Sequence, residues 1–229
     1  MSNELQIKPI AHIRTQFKEK FGIPRQSGRV KSLGGEIVFE PEFRNPDAIR
    51  GLDGFSHIWL IFDFSQSHRE KWSPTVRPPR LGGNKRVGVF ATRSPFRPNP
   101  LGLSCVKLNG IEHREGTGSV LLVSGVDLLD NTPIYDIKPY LPTADCVSDA
   151  TGGFADAVNS HKLEICDCDN LLCGLPKEIR DCIADDPRPS YQDDADRVYS
   201  MAYAEYDVKF KVSNGVATII NVDKTKTDD

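Results

Sequence analysis

Over the first 140 positions, apolar residues recur in short runs, either alternating with polar ones or continuous. They predict strands at 7–14, 35–40, 56–64, 87–92, 103–108, 120–126 and 133–137. Turn signals such as Gly34-Gly35 and Gly116-Thr117-Gly118 separate these runs. The one early helical signal is a turn or two after Asn45-Pro46, with proline placed at a first helical position. Many short strands with so few helices between them argue for a barrel or rolled sheet and against a doubly wound sheet. After Leu141-Pro142 the pattern changes. Residues 143–169 are polar and irregular, 176–184 read as a helix with the apolar face Ile179-Cys182-Ile183, and 185–194 form an acidic loop. Alternation through Val208, Phe210 and Val212, then Asn214-Gly215, then a run ending at Val222 predicts a hairpin. The tail KTKTDD is expected to fray. The expected fold is mainly β: a single-sheet β-barrel domain over 1–144 and a small α+β C-terminal domain with a β-hairpin over 145–229.

Composition narrows the class. A hydrophobic content of 38% and a charged content of 27% over 229 residues are those of an ordinary globular protein. No apolar run approaches the roughly 20 residues that span a bilayer. The start MSNELQIKPI lacks a signal-peptide pattern, so a cytoplasmic protein without membrane attachment is expected. Of the six cysteines, Cys105 and Cys146 stand apart, while Cys166, Cys168, Cys173 and Cys182 share one stretch without a C-x-x-C pair. They are expected as reduced, partly buried thiols, with no metal site.

Charge and proline then single out loops. In residues 91–102, Ala-Thr-Arg-Ser-Pro-Phe-Arg-Pro-Asn-Pro-Leu-Gly, three prolines fix φ and remove donors, which excludes helix interior and inner strand. Such a stiff loop can be a plain surface crossover, or can hold Arg93 and Arg97 ready for a ligand at low ordering cost. A second Pro/Gly-punctuated loop runs through 72–84. From Arg69 to Arg97 six arginines and two lysines face Glu70 alone, a local +7 in a chain of formal charge −3. That concentration implies an anionic partner with a defined docking place.

Two further clusters read as sites. Asp127 and Asp130 fall at a strand end, followed on the next strand by Asp136 and Lys138; turn chemistry accounts for part of Asp130-Asn131. The loop Phe21-Gly22-Ile23-Pro24-Arg25-Gln26-Ser27-Gly28 carries an Arg-Gln pair on a stiff backbone. Dinucleotide, P-loop, zincin and nucleophile-elbow signatures are absent. His57, inside Phe55-Ser56-His57-Ile58-Trp59, reads as a core or dimer-contact histidine.

The motifs GVFATRSPFRPNPLGLS, LLDNTPIYDIKPYLP, KEKFGIPRQ and DPRPSY together resemble the tRNA threonylcarbamoyladenosine methyltransferases, the TsaA-like or TrmO family. Asn131 stands where that pattern expects glycine, and asparagine tolerates the left-handed φ such a turn needs. The cysteine-rich stretch matches no motif of the family. The resemblance implies a barrel methyltransferase, unlike the Rossmann type, that uses S-adenosyl-L-methionine. It implies action on the exocyclic nitrogen of threonylcarbamoyladenosine next to the anticodon of tRNA, and a homodimer with the cofactor site near the subunit interface. Pro24, Arg25, Gln26, Ser65, Gln66, Arg93, Leu103, Asp127, Leu128, Leu129 and Asp130 correspond to the cofactor pocket.

Residue chemistry is compatible. A cationic nucleoside needs acceptors for its hydroxyls and amine, which Asp127 and Asp130 can supply, and Asp136 is a candidate acceptor for the proton leaving the adenine nitrogen. Anticodon-loop bases are unpaired and can be splayed into a pocket at low cost. Two other readings remain: a non-catalytic RNA-binding barrel sensing a small anion or nucleotide, and a metal-dependent phosphoesterase built on Asp127, Asp130 and Asp136.

Overall fold

The computed structural model describes residues 5–78, 85–156, 162–189, 192 and 194–225. Six antiparallel strands close into a barrel: β1 (Ala11–Arg14), β2 (Gly34–Phe39), β3 (His57–Asp63), β6 (Leu101–Arg114), β7 (Gly118–Ser124) and β8 (Thr132–Pro139). Their order around the barrel is β1-β2-β7-β6-β3-β8, and β8 pairs back onto β1. Closure removes every sheet edge. Two short strands, β4 (Thr75–Val76) and β5 (Val87–Gly88), form a separate ribbon outside it.

Alternation decides what fills the barrel. Ile58, Leu60 and Phe62 of β3 point inward with Val106 of β6, Ile37 of β2, Leu121 of β7 and Ile134 of β8, all nearly or completely buried. The 14 residues of β6 serve two partners. Leu101 to Lys107 pair with β3, and Lys107 to Arg114 pair with β7 across a bulge between Leu108 and Gly110. Such a bulge bends the strand and turns the barrel corner. Gly102 is required by packing, since a Cβ there would lie 2.2 Å from the Phe62 ring.

The C-terminal sheet contains β9 (Glu164–Cys166), β10 (Tyr199–Tyr203), β11 (Tyr206–Ser213) and β12 (Val216–Lys224), in the order β10-β11-β12-β9. Helix α2 (Lys177–Ala184) buries Ile179, Cys182 and Ile183, the face its spacing predicts. Burial also drives the Cys182 thiol pKa upward, so this cysteine is an inert core residue. The Asn214-Gly215 hairpin forms with both residues at positive φ. A short helix α1 (Pro142–Asp145) follows the last barrel strand.

The chain between β1 and β2 lies between the two sheets. Phe17 meets Tyr203 edge-on at 5.1 Å, and Phe21 stacks on Tyr199 and Phe210 at 6.2 and 6.5 Å. Gly22 sits at φ +97°, where a Cβ would strike Met201 at 2.5 Å, so both its backbone and its neighbour demand glycine.

Several expected elements differ. The strand expected at 87–92 stops after Gly88 and becomes a 3-10 turn, Val89–Ala91, because Thr92 N–H and Oγ both bond Val89 O. Only residues 11–14 of the expected 7–14 pair, and β6 runs six residues past the predicted 103–108. The turn after Asn45-Pro46 is 3-10, Pro46–Ile49. Strands β9 and β10 were not predicted. Among the described residues no helix is long and apolar enough to cross a membrane. The expected fraying of the last residues falls largely outside the described ones.

Candidate functional site

One end of the barrel gathers residues from three of the stiff loops. Asp127 follows β7 and its carboxylate accepts a hydrogen bond of 2.6 Å from Ser104 Oγ, which is almost fully buried on β6. Burial is the main influence on this carboxyl and raises its pKa to about 6. Hydrogen bonds from Ser104, from the backbone of Asp127 and Ser27, and the charge of Arg93 oppose that rise. Arg93 donates to Gln26 Oε1, and Gln26 Nε2 donates to Arg25 O at 2.6 Å. Gln26, Ser27, Arg93, Ser104 and Asp127 therefore form one connected polar group.

The loop carrying Gln26 is fixed from helix α2 and the loop that follows it. Arg25 donates to Arg188 O, Arg29 pairs with Asp185, and Ser32 Oγ donates to Asp181 Oδ2 at 2.6 Å. Arg188 is itself held by Asp186 through Nε at 2.8 Å and Nη2 at 2.9 Å. The motifs KEKFGIPRQ and DPRPSY thus meet in space, although Ser190 and Tyr191 lie outside the described residues.

The other singled-out residues have different surroundings. Asp130 holds the chain after β1, accepting from Thr15 N–H at 2.9 Å and Lys18 Nζ at 2.5 Å. Leu128 is buried in the core, Leu129 packs partly against it, and Pro24 is buried. Asn131 takes φ +60°, as the turn requires. Ser65 and Gln66 are exposed after β3, where Lys20 Nζ donates to Gln66 O at 2.9 Å. Leu103 points outward from β6, opposite Ile61, and is 52% exposed. Asp136 also faces outward, paired in register with Ile61, and its carboxylate meets Lys138 Nζ at 3.0 Å. His57 lies half-buried beside Ser56 Oγ and Tyr140.

Two contributors were missed from the sequence. Ser104 ends a quoted motif, but nothing in an apolar alternating strand marks an inward serine as a carboxylate partner. Asp185 read only as acidic loop, and its partner Arg29 is 156 positions away.

Beside this group, the proline loop and the segment after β3 enclose a cleft of about 240 Å3 lined by residues including His68, Arg69, Trp72, Phe96 and Arg97. Arg69 lies 3.5 Å over the Phe96 ring. Asp63, whose side chain is 10% exposed, orients His68 through a 2.7 Å contact.

A closed antiparallel barrel whose end collects an amide, a guanidinium and a buried carboxylate is suited to hold a small charged ligand. Family models place it further. That of the tRNA-methyltransferase O N-terminal domain matches residues 12–146, and that of the TrmO C-terminal domain matches 158–225. The chain belongs to the tRNA-methyltransferase O family. It is 40% identical over 225 residues to the tRNA (adenine(37)-N6)-methyltransferase of Escherichia coli K12, covering 93% of this chain and 95% of that protein. A putative S-adenosylmethionine-dependent methyltransferase, RcsF, of Pseudomonas aeruginosa is 41% identical over 213 residues, 88% of this chain and 90% of that protein. The crystal structure of TrmO from Pseudomonas aeruginosa superposes with a TM-score of 0.75 at 32% identity, covering 96% of this chain and 99% of that one.

Proposed function

We propose that this protein transfers a methyl group from S-adenosylmethionine to N6 of adenine 37 in tRNA, acting on the threonylcarbamoyl form of that base. The observation that carries the reading is the connected group Gln26–Arg93–Ser27–Asp127–Ser104 at the barrel end of a chain from this family. Its donor set suits the cofactor: a buried carboxylate can accept from ribose hydroxyls or the amine, and a guanidinium can meet the carboxylate. When bound, the cofactor supplies a methyl group activated by a cationic sulfur.

The chain's own residues supply placement. Arg93 is oriented by Gln26, and Asp127 by Ser104, so neither group must be ordered at the moment of binding. Pro24, Arg25, Ser65, Gln66, Leu103 and Leu128 to Asp130 complete the pocket in this reading. Leu128 and Asp130 act there as the buried and ion-paired footings of the Asp127 turn. Asp136, half-exposed on the outer face of β8, accepts the proton released by the adenine nitrogen.

The same reading includes a cytoplasmic homodimer. On the outer face of β3 and β6, Trp59 lies opposite Cys105 and Ile61 opposite Leu103, an apolar surface continuous with Leu101 and Tyr140. A second copy covers it and brings Leu103 and Asp136 into a closed site.

The test is methyl transfer from labelled S-adenosylmethionine, without added metal, to tRNA prepared with and without the threonylcarbamoyl group. Mass mapping should place one methyl on adenine 37 of the modified tRNA only. Equal labelling of both tRNAs would remove the threonylcarbamoyl requirement, and labelling of neither would return the chain to the RNA-binding alternative.

A further inference from the structure

Two large aromatic side chains next to the cleft are left uncovered in the most cationic part of the chain. Trp72 is 52% exposed and Phe90 72% exposed, with ring centroids 6.3 Å apart and planes inclined by 30°. A soluble surface rarely leaves such rings bare without a partner. The backbone beneath the rings is held: Phe90 belongs to the 3-10 turn that Thr92 closes onto Val89, and Trp72 precedes Ser73, whose Oγ donates to Thr75 O at 2.8 Å.

The charges around them are also fixed. Arg97 donates to Thr92 O at 2.7 Å, and its guanidinium stands 5.9 Å from the Phe90 ring. Arg69 is stacked on Phe96 across the cleft. Lys71, Arg77, Lys85 and Arg86 are exposed around this surface, with Glu70 the sole acidic residue among the described positions from 69 to 97. A cleft of about 240 Å3 falls below the roughly 300–1,000 Å3 of pockets that enclose whole drug-sized ligands. It suits one flat ring system.

We propose that Trp72 and Phe90 form a stacking platform for unpaired bases of an RNA loop, with one base entering the cleft against Arg97 and Arg69. The proposal rests on the tRNA reading above and names the surface by which the loop is held. Aromatic faces accept any base, and guanidinium groups beside them meet the backbone phosphates, so the platform grips a splayed single strand without reading its sequence. A fully paired stem offers no free base face and gains only the charge contacts.

The test uses the full-length protein. With Trp59→Phe as background, Trp72 is the sole tryptophan, and its fluorescence should be quenched by an unmodified anticodon stem-loop in the absence of cofactor. Trp72→Ala and Phe90→Ala should each raise the KM for tRNA by about tenfold, the loss of one base–aromatic stack. Both should leave the maximal rate and the cofactor Kd unchanged, and Trp72→Phe should restore the KM. Methylation that proceeds with wild-type KM in both alanine variants overturns the platform while the methyltransferase reading stands. Quenching by the stem-loop in a protein that methylates no tRNA supports the platform and removes the reading. Equal quenching by a loopless duplex, or quenching by anionic phospholipid vesicles but not by RNA, overturns the platform.

Discussion

Arg29, on the segment between β1 and β2, grips Asp185 at the C-terminal end of helix α2, with Nε 2.9 Å from Oδ2 and Nη2 2.7 Å from Oδ1. The two side chains are 20% and 9% exposed, and Asp185 Oδ1 is buried without an aligned hydrogen-bond donor, so that limb of the pair is held by charge alone. The pair sits three residues from Gln26. The end of helix α2 therefore fixes the backbone from which the proposed cofactor contact springs.

Removing one partner strands the other charge in a poorly solvated place. Asp185→Ala is expected to lower stability by about 3 kcal/mol, as breaking buried pairs from one side does. It should also raise the Kd for S-adenosylmethionine, because the 24–28 loop loses its footing. Urea denaturation and calorimetry read the two effects separately. A stability loss with unchanged Kd would reduce the second domain to a packing partner.

Asp127 ties stability and binding to pH in opposite senses. Its pKa of about 6 exceeds the ordinary 3.8, so the folded state binds the proton more tightly than the unfolded chain does. This group's contribution to stability therefore improves as pH falls from about 6 toward 3.8 and is unfavourable at neutral pH. Asp127→Asn should raise the melting temperature at pH 7 to 8. Cofactor binding needs the ionised form as acceptor, so wild-type affinity should fall below pH 6. The asparagine variant should bind more weakly, with a flat profile. Thermal scans and calorimetry between pH 5 and 8 check both signs, and a pH-independent wild-type affinity would remove Asp127 from the pocket.

The barrel was legible because alternation survives wherever one face is buried, as in His57-Ile58-Trp59-Leu60-Ile61-Phe62. The same rule failed at 87–92, where Phe90 faces solvent and side chain-to-backbone bonds replace a ladder. Strand β9 has three residues and packs parallel to β12, too short for a periodic signal. Within the candidate site, prolines marked the loops, and the positive φ of Asn131 was foreseeable from its side chain. The pairing of Arg29 with Asp185 and the anchoring of Thr15 by Asp130 depend on contacts across more than 100 positions, and the Ser104–Asp127 bond spans 23, so none leaves a local trace.

Asp136 offers a clean kinetic test. Its contact with Lys138 joins side chains that are 46% and 62% exposed, a type of pair worth at most about 1 kcal/mol. Asp136→Asn should thus leave the melting temperature and the cofactor Kd close to wild type while lowering kcat. Loss of affinity and rate together would make the residue part of the pocket or of the subunit contact.

The proposed homodimer puts its contact on the outer face of β3 and β6. Leu103→Glu places a charge at the centre of the apolar surface that a second copy would bury. Light scattering should give a wild-type mass near twice 25.5 kDa and a variant mass near 25.5 kDa. A wild-type monomer at micromolar concentration would contradict the dimer.

Phosphate contacts should be separable from the cofactor site. Arg77 and Arg86 are exposed beside the β4–β5 ribbon, and Arg86 Nη1 donates to Thr75 Oγ1 at 2.8 Å; Arg80, the third arginine of this loop, lies outside the described residues. The chain is acidic overall, so this local cationic surface suits a partner of opposite sign better than a general solubilising role. If both arginines meet phosphates of the anticodon stem, each releases counterions on binding. Neutralising both should flatten the log–log salt dependence of tRNA affinity by roughly 0.7–0.9 per contact removed, while the cofactor Kd stays as in wild type. Filter binding across a salt series, paired with calorimetry for the cofactor, measures the two independently. A double variant that kept the wild-type slope but lost cofactor would assign this ribbon to the pocket and move the stem-binding surface to the C-terminal sheet.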